Sequence, residues 1–483
     1  MSADSAASAA LLTRASTRGR LTLAALTLGS GVAILDGSVV NVALRRIGTD
    51  LDASIGQLQW VVTGYLLALA SLVLIGGGLG DRLGRRRIYL IGMAVFLAAS
   101  IACALAPTIS ALIAMRVLQG VGGALLTPGA LAIIQASFAP EDRAPAIGTW
   151  AGVSGIASAI GPFVGGWLVG HASWRWVFGI NIPLCLIVIA ITWYAAPESR
   201  APRSGQASFD LVGAGLSAVG LGAATFALTG AAESAPIVTA AVLAAAVAAF
   251  AGFVVTERRV AAPLVPPGLW ASRVFTAANL MTLLVYGALG AVMFILVLQL
   301  QVSAGWSALA SGLSALPLTI ILFALSSRAG ALAARIGPRV PMSVGPALCA
   351  VGVLLLYPIG AGTTWWGVLP GMTVFGLGLA LLVAPLTSTV LAAAPDAYAG
   401  VASGVNNAVA RAGSLLAVAA LPVLGGLSGS AYEDPAALTR AHHVSMLGCA
   451  LLLALGGLVS WVGLRDSAPG QRDQIATKSI ASP

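Results

Sequence analysis

Asp36, Arg116 and Arg411 each stand inside a long apolar run, where an ionisable side chain is costly unless it faces a cavity or a partner. The chemistry open to Asp36 is reversible protonation. A carboxyl group starts from a pKa near ~3.9, burial raises that value and a guanidinium lowers it, so such a group can be brought to titrate near neutrality. At about 1.5 Å per helical residue, Asp36 lies roughly 12 Å and Arg116 roughly 10 Å below the same surface. Their depths match, as a proton-binding acid and its biasing base require; a fixed structural ion pair is the alternative. Arg411 falls about 18 Å into its run, near the midplane and one turn after Asn406 and Asn407. It reads as a cavity-lining or conformational residue, or else as a locally neutralised structural arginine.

The elements that must position these groups follow from composition. Of 483 residues, 58% are apolar and 8% charged, against roughly 25% charged in soluble domains, and the mean hydropathy is +0.96. Apolar runs of membrane-spanning length recur, so the fold class is an all-α integral membrane protein. Fourteen helices are predicted, at about 21–44, 57–79, 87–106, 109–136, 145–170 and 177–196, then 208–230 and 236–256, then 274–301, 306–328, 340–360, 364–391, 400–427 and 442–464. The first run is too long for the apolar region of a secretory signal. An even number of spans puts both termini on one side, and 19 of the 25 basic residues then fall on the cytoplasmic side against 4 outside. The net charge of +9 is thereby explained as topology, with no nucleic-acid partner.

Other chemistries are excluded by residue type. The only lysine, Lys478, lacks the glycines of a nucleotide-binding loop. Cys103, Cys185, Cys349 and Cys449 are dispersed in apolar runs, giving neither a disulfide frame nor a zinc site. His442-His443 has no companion ligands and is read as an exterior helix start. No metal, no cofactor and no enzymatic activity are expected.

An internal repeat divides the chain. The pattern G-x-L-x-x-R-x-G-x-R occurs at Gly77 to Arg86 and again, 253 residues later, at Gly330 to Arg339. Parallel six-helix halves with a site between them near the midplane are a transporter architecture. The expected organisation is an N-terminal bundle over 1–200, an inserted two-helix linker over 201–265 and a C-terminal bundle over 266–483.

The Gly77 to Arg87 loop resembles the signature between helices two and three of the major facilitator superfamily. Leu35 to Leu44 is similar to the first-helix motif of its 14-helix drug:proton antiporter branch, the EmrB/QacA type, with Ser38 for the usual Thr and Arg45 where Pro usually closes the motif. Arg116 to Ala124 resembles the fourth-helix motif. Gly152, Gly155, Gly161, Pro162, Gly165 and Gly166 resemble the fifth-helix antiport motif, and Trp174 to Phe178 with Asn181 and Pro183 resembles the opening of helix six.

The resemblance implies that Asp36 and Arg116 couple protons at the cavity. It also implies that Gly77, Asp81, Arg82, Gly84, Arg85 and Arg86 form a cytoplasmic gating loop against the other half, beyond the plainer role of a positive-inside turn. For the helix-five glycines, a leak-tight bent contact stands beside simple close packing. Candidates for the wall of a drug-sized cavity are Asn41, Trp60, Tyr65, Gln119, Tyr286, Gln299, Asn407 and Arg411. The expected function is proton-coupled antiport of amphipathic or hydrophobic drugs or antibiotics by alternating access, in the inner (plasma) membrane, with small-molecule substrate, protons and lipid as partners and a monomer as the unit. Export of an endogenous metabolite is the second reading and a non-transporting receptor or scaffold the third.

Overall fold

The computed structural model describes residues 11–200, 210–230, 235–260, 263–265, 267–394 and 399–464. Among the described residues the regular elements are helices, beside an isolated bridge between Leu12 and Phe138. The first group is α1 (Thr17–Leu51), α2 (Ile55–Leu83), α3 (Arg85–Ala104), α4 (Ile109–Ser137), α5 (Pro140–His171), α6 (Trp176–Gly179) and α7 (Asn181–Ala195). Next come α8 (Leu211–Gly230), α9 (Pro236–Arg259) and the short α10 (Pro267–Ala271). The last group is α11 (Arg273–Val302), α12 (Ala308–Leu313), α13 (Leu316–Ile336), α14 (Arg339–Leu355), α15 (Trp365–Ala392), α16 (Ala399–Leu424) and α17 (Pro435–Gly463).

Most boundaries fall where apolar periodicity places them. Of those that differ, two have identifiable local causes. An Arg46–Asp50 ion pair at 3.1 Å, one turn apart, carries α1 on to Leu51, where Asp52 turns left-handed at φ 48°. Asp434 caps α17 early by accepting the N–H groups of Ala436 and Ala437. His442 therefore begins no helix: it lies two turns inside α17, fully buried, with Nε2 2.9 Å from the Leu356 carbonyl.

Twelve helices among the described residues are long and apolar enough to cross a membrane, where the sequence predicts fourteen spans. Outside that count lie α5, 32 residues long, and α14, only 17 residues long.

The two groups pack alike. In the first, α2 and α3 lie on α4, α1 lies on α5, and α7 closes against α1 and α3. In the second, α13 and α14 lie on α15, α11 lies on α16, and α17 closes against α11 and α14. The repeated sequence motif does the same work in each. Gly84 and Gly337 end α2 and α13 at φ 115° and 85°, a conformation open to glycine at little cost. Just beyond, Arg86 donates to the Ala196 carbonyl at the end of α7, and Arg339 to the Trp461 carbonyl near the end of α17. Each arginine thereby ties the start of its bundle's third crossing to the last.

The bundles meet at the end carrying the α1–α2 connection. There Ile55 N–H donates to Gly429 at 2.8 Å, Gln59 Nε2 to Val418 at 2.7 Å, Gln301 Nε2 to Val42 at 3.0 Å and the Tyr432 hydroxyl to Ala53 at 3.0 Å. Burial first, then Glu433 and Asp52, pushes the Tyr432 phenol up to about 12, so it stays a donor at ordinary pH. Apolar packing including Leu44, Leu58, Leu296 and Leu421 fills this closed end. The α8–α9 pair rests through α8 on α2 and α16, one helix from each bundle. Along α9 only Ala246, Ala249 and Glu257 are buried, leaving an apolar face for lipid.

Candidate functional site

Asp36 and Arg116 meet. Helix α1 brings the carboxylate and α4 the guanidinium to an ion pair of 2.5 Å, with both side chains sealed at 0% and 1% exposure. Asp36 Oδ1 also accepts Gln119 Nε2 at 2.9 Å and Asn181 Nδ2 at 2.8 Å. Gln119 follows Arg116 by three residues and so shares its helix face; its Oε1 accepts from the guanidinium while its amide donates to Ser100 Oγ at 2.8 Å. Arg116 Nε reaches the Val61 carbonyl at 3.0 Å, and its planar head lies over Tyr65, 4.5 Å from the ring centroid. Helices α1, α2, α3, α4 and α7 thus converge on one acid.

Ser100 and Asn181 are the members that sequence reasoning did not assign to the site. Asn181 lies in the motif opening helix six, and that was its available signal. Ser100 carries none. Asn181 Oδ1 is buried with no hydrogen-bond partner among the described residues.

A cavity of about 280 Å³ lies between the bundles. Ser38, Asn41 and Pro162 line it from the first, and Tyr286, Met293, Leu318 and Leu379 are among its walls from the second. A smaller cavity of about 100 Å³ adjoins Tyr286 and is lined by Thr387, Ser403, Asn406, Asn407 and Ala410. Arg411 follows Ala410, is half-buried, and interacts electrostatically with Tyr65 and Tyr286.

The predicted cavity wall therefore divides. Asn41, Tyr286 and Asn407 line the cavities, and Arg411 stands beside them. Tyr65 and Gln119 belong to the acid's own shell: both are buried, and the Tyr65 hydroxyl donates to Ala33 at 3.2 Å. Gln299 lines neither cavity. It is fully buried within the second bundle, donating to the Ile359 carbonyl and Thr439 Oγ1 and accepting from Ser303, which satisfies its amide away from any ligand. Trp60 is half-buried beside Gly64, outside both cavity walls.

The Gly77 to Arg86 segment, expected as a loop, is the end of α2, a turn at Gly84 and the start of α3, and its described contacts lie within its own bundle. Arg85 pairs with Asp81 at 2.7 Å, and its N–H donates to Ser199. The Glu198 carboxylate accepts the N–H groups of Arg86 and Arg87 at 3.0 and 3.1 Å. The expected contact with the other half is not among the described interactions of this loop, while Arg82 has further interactions.

Helix-five glycines sit at both interfaces of α5. A Cβ on Gly161 would meet Ser38 and one on Gly165 would meet Val39, both in α1. On Gly166 it would fall 2.5 Å from Leu309 Cα, and Gly312 meets Pro162 in return, so α12 of the second bundle packs directly on α5. Gly152 and Gly155 lie in α5, and their surroundings are outside the described residues.

Two repeated helical bundles around a shared cavity, with charged groups held inside the spans, define a multi-pass membrane protein of the transporter class. The chain belongs to the Major Facilitator Superfamily, whose pattern it matches over residues 26–418. Members bind small-molecule substrates and are in general transporters rather than enzymes. The chain is 36% identical to the methylenomycin A resistance protein of Streptomyces coelicolor over 443 residues, 91% of each chain. It is 36% identical to the tetracenomycin C resistance and export protein of Streptomyces glaucescens over 411 residues, covering 83% of this chain and 75% of that one. The solved structure of the POT family transporter PepTSo matches with a TM-score of 0.67 at 13% identity, over 95% of this chain and 99% of that one, a likeness of fold alone.

Proposed function

We propose that this protein exports amphipathic or hydrophobic drugs or antibiotics in exchange for protons, by alternating access of its two bundles, as a fourteen-span protein of the plasma membrane with both termini cytoplasmic. The observation that carries the coupling is the sealed Asp36 carboxylate held by Arg116, Gln119 and Asn181. Relatives named for antibiotic resistance and export support the substrate class, and the basic loops support the orientation. Taking α5 and α14 as crossings completes fourteen, with α8 and α9 as the inserted pair between bundles over 1–200 and 266–483.

The network suits a switch because it offers partners to both charge states. With Asp36 ionised, three donors converge on it. When Asp36 takes up a proton, Arg116 keeps the Gln119 and Val61 oxygens, and a half-turn of the Asn181 amide aims its unpartnered Oδ1 at the new O–H. The carboxylate has no exposure in the present state, so proton exchange belongs to another point of the cycle. Each proton entering down a potential of 100 mV supplies about 2.3 kcal/mol, so one or two drive uphill efflux.

The test pairs a susceptibility screen in an efflux-deficient host with substrate-evoked proton release from energised vesicles, wild type beside Asp36→Asn. Resistance and proton release should both vanish in the variant. Proton-coupled export by Asp36→Asn removes the assignment.

A further inference from the structure

Among the described residues Arg411 has no counterion, where Arg116 has one. Helices α11 to α17 contain no Asp or Glu, and among the described residues no hydrogen bond or ion pair engages the Arg411 guanidinium. Its nitrogens are not among the sealed, unpartnered polar atoms, and the residue is half-buried, so the head group is neither sealed among the helices nor fully exposed. Its electrostatic neighbours are Tyr65 of the first bundle and Tyr286 of the second. Phenols are neutral at ordinary pH and do not cancel the charge.

A guanidinium stays charged at any physiological pH, and holding it among helices without an anion is unfavourable. Tyr286 joins the charge to the ligand space, since it lines both cavities, and Ala410 and Asn407 carry the wall along α16 to Arg411. The Tyr286 hydroxyl makes no hydrogen bond among the described residues and is not sealed, which leaves it free to donate. Beyond this polar corner the larger cavity is mostly apolar, with Leu289, Met293, Leu318 and Leu379 on its walls beside the polar Ser38 and Asn41. The planar fork of an arginine matches two oxygens of a carboxylate or sulfonate. Resting on the export reading above, we infer that Arg411, with the Tyr286 hydroxyl, binds an anionic oxygen group on the transported compound, whose apolar body fills the cavity between the bundles. The preferred substrates are thus compact amphipathic acids rather than cations.

The matched probes are naphthoate and its uncharged amide, titrated calorimetrically into the full chain in nanodiscs of phosphatidylcholine alone. Wild type should bind naphthoate at least about tenfold more tightly than the amide, the scale of one charge-assisted contact. Arg411→Gln should bring the ratio near unity, and Arg411→Lys should retain part of it. Equal affinities in wild type, no naphthoate binding up to about 1 mM, or a ratio unchanged in folded Arg411→Gln overturns the inference. Should that variant not fold, the wild-type ratio decides alone. Naphthoate displaced by phosphatidylglycerol in the disc would assign the anion to a lipid headgroup and overturn the substrate assignment. Resistance to neutral and cationic compounds in the susceptibility screen, beside no preference for the acid here, removes only this inference; resistance to nothing removes the export reading as well.

Discussion

Replacing Asp36 by Asn tests whether the buried pair is structural, functional or both. The carboxylate offers Oδ2 to Arg116 and Oδ1 to Gln119 and Asn181, and all three partners are donors. An amide has one acceptor oxygen, so whichever way it turns, its NH2 faces a donor and Arg116 loses its anion at 1% exposure. Removing one member of a buried pair costs about 3–5 kcal/mol. The Gln119 and Val61 oxygens remain on the guanidinium, which favours the lower end, about 3 kcal/mol or roughly a hundredfold in the folding equilibrium. Asp36→Asn combined with Arg116→Gln removes the orphaned charge and should restore most of that loss. Reversible unfolding in mixed micelles reads both numbers, and vesicle proton release reads coupling in the same proteins. The expected result is a stable double variant without proton coupling. A single variant losing less than about 1 kcal/mol would refute the electrostatic argument, and a double variant that still couples protons would reduce the pair to a structural tie.

Three further outcomes follow from particular contacts. Gly166→Ala places a methyl 2.5 Å from Leu309 Cα and 2.7 Å from the Ala308 carbonyl, across the α5–α12 contact between bundles; overpacking of about 1–3 kcal/mol should shift the population away from this closed end, read as wider spin-label distances between α5 and α12, and unchanged distances would count against it. Asn181→Ala removes one donor from the ionised acid and the reserve acceptor from the protonated one; the export rate should fall at least about tenfold, and a wild-type rate would dismiss the amide half-turn. Glu198→Ala strips the carboxylate that caps α3 through Arg86 and Arg87; a loss of about 1 kcal/mol in stability is expected from calorimetric melting, whereas an unmoved melting temperature would mean that the clamp does not hold the loop.

Sequence alone determined the class, most helix positions and the halves of the repeat, because lipid imposes long apolar runs and the motif recurs at fixed spacing. It also singled out Asp36, Arg116 and Arg411, since charge within such runs stands out. Residues that complete the site were another matter. Ser100 and Asn181 are ordinary polar side chains 81 positions apart, and only the packing of α3 on α4 and of α7 on α1 brings Asn181 to the Asp36 carboxylate and Ser100 to the Gln119 and Asn181 amides beside it. Gln299 and His442 looked like site or surface residues, yet the fold satisfies the first and buries the second inside the C-terminal bundle. Partnership likewise divides two otherwise similar arginines: Arg116 meets an acid from another helix, while Arg411 has two tyrosines and, among the described residues, no acid. Hydropathy is a property of each segment and can be read along the chain, whereas a counterion or a cavity exists only once separate helices share a place.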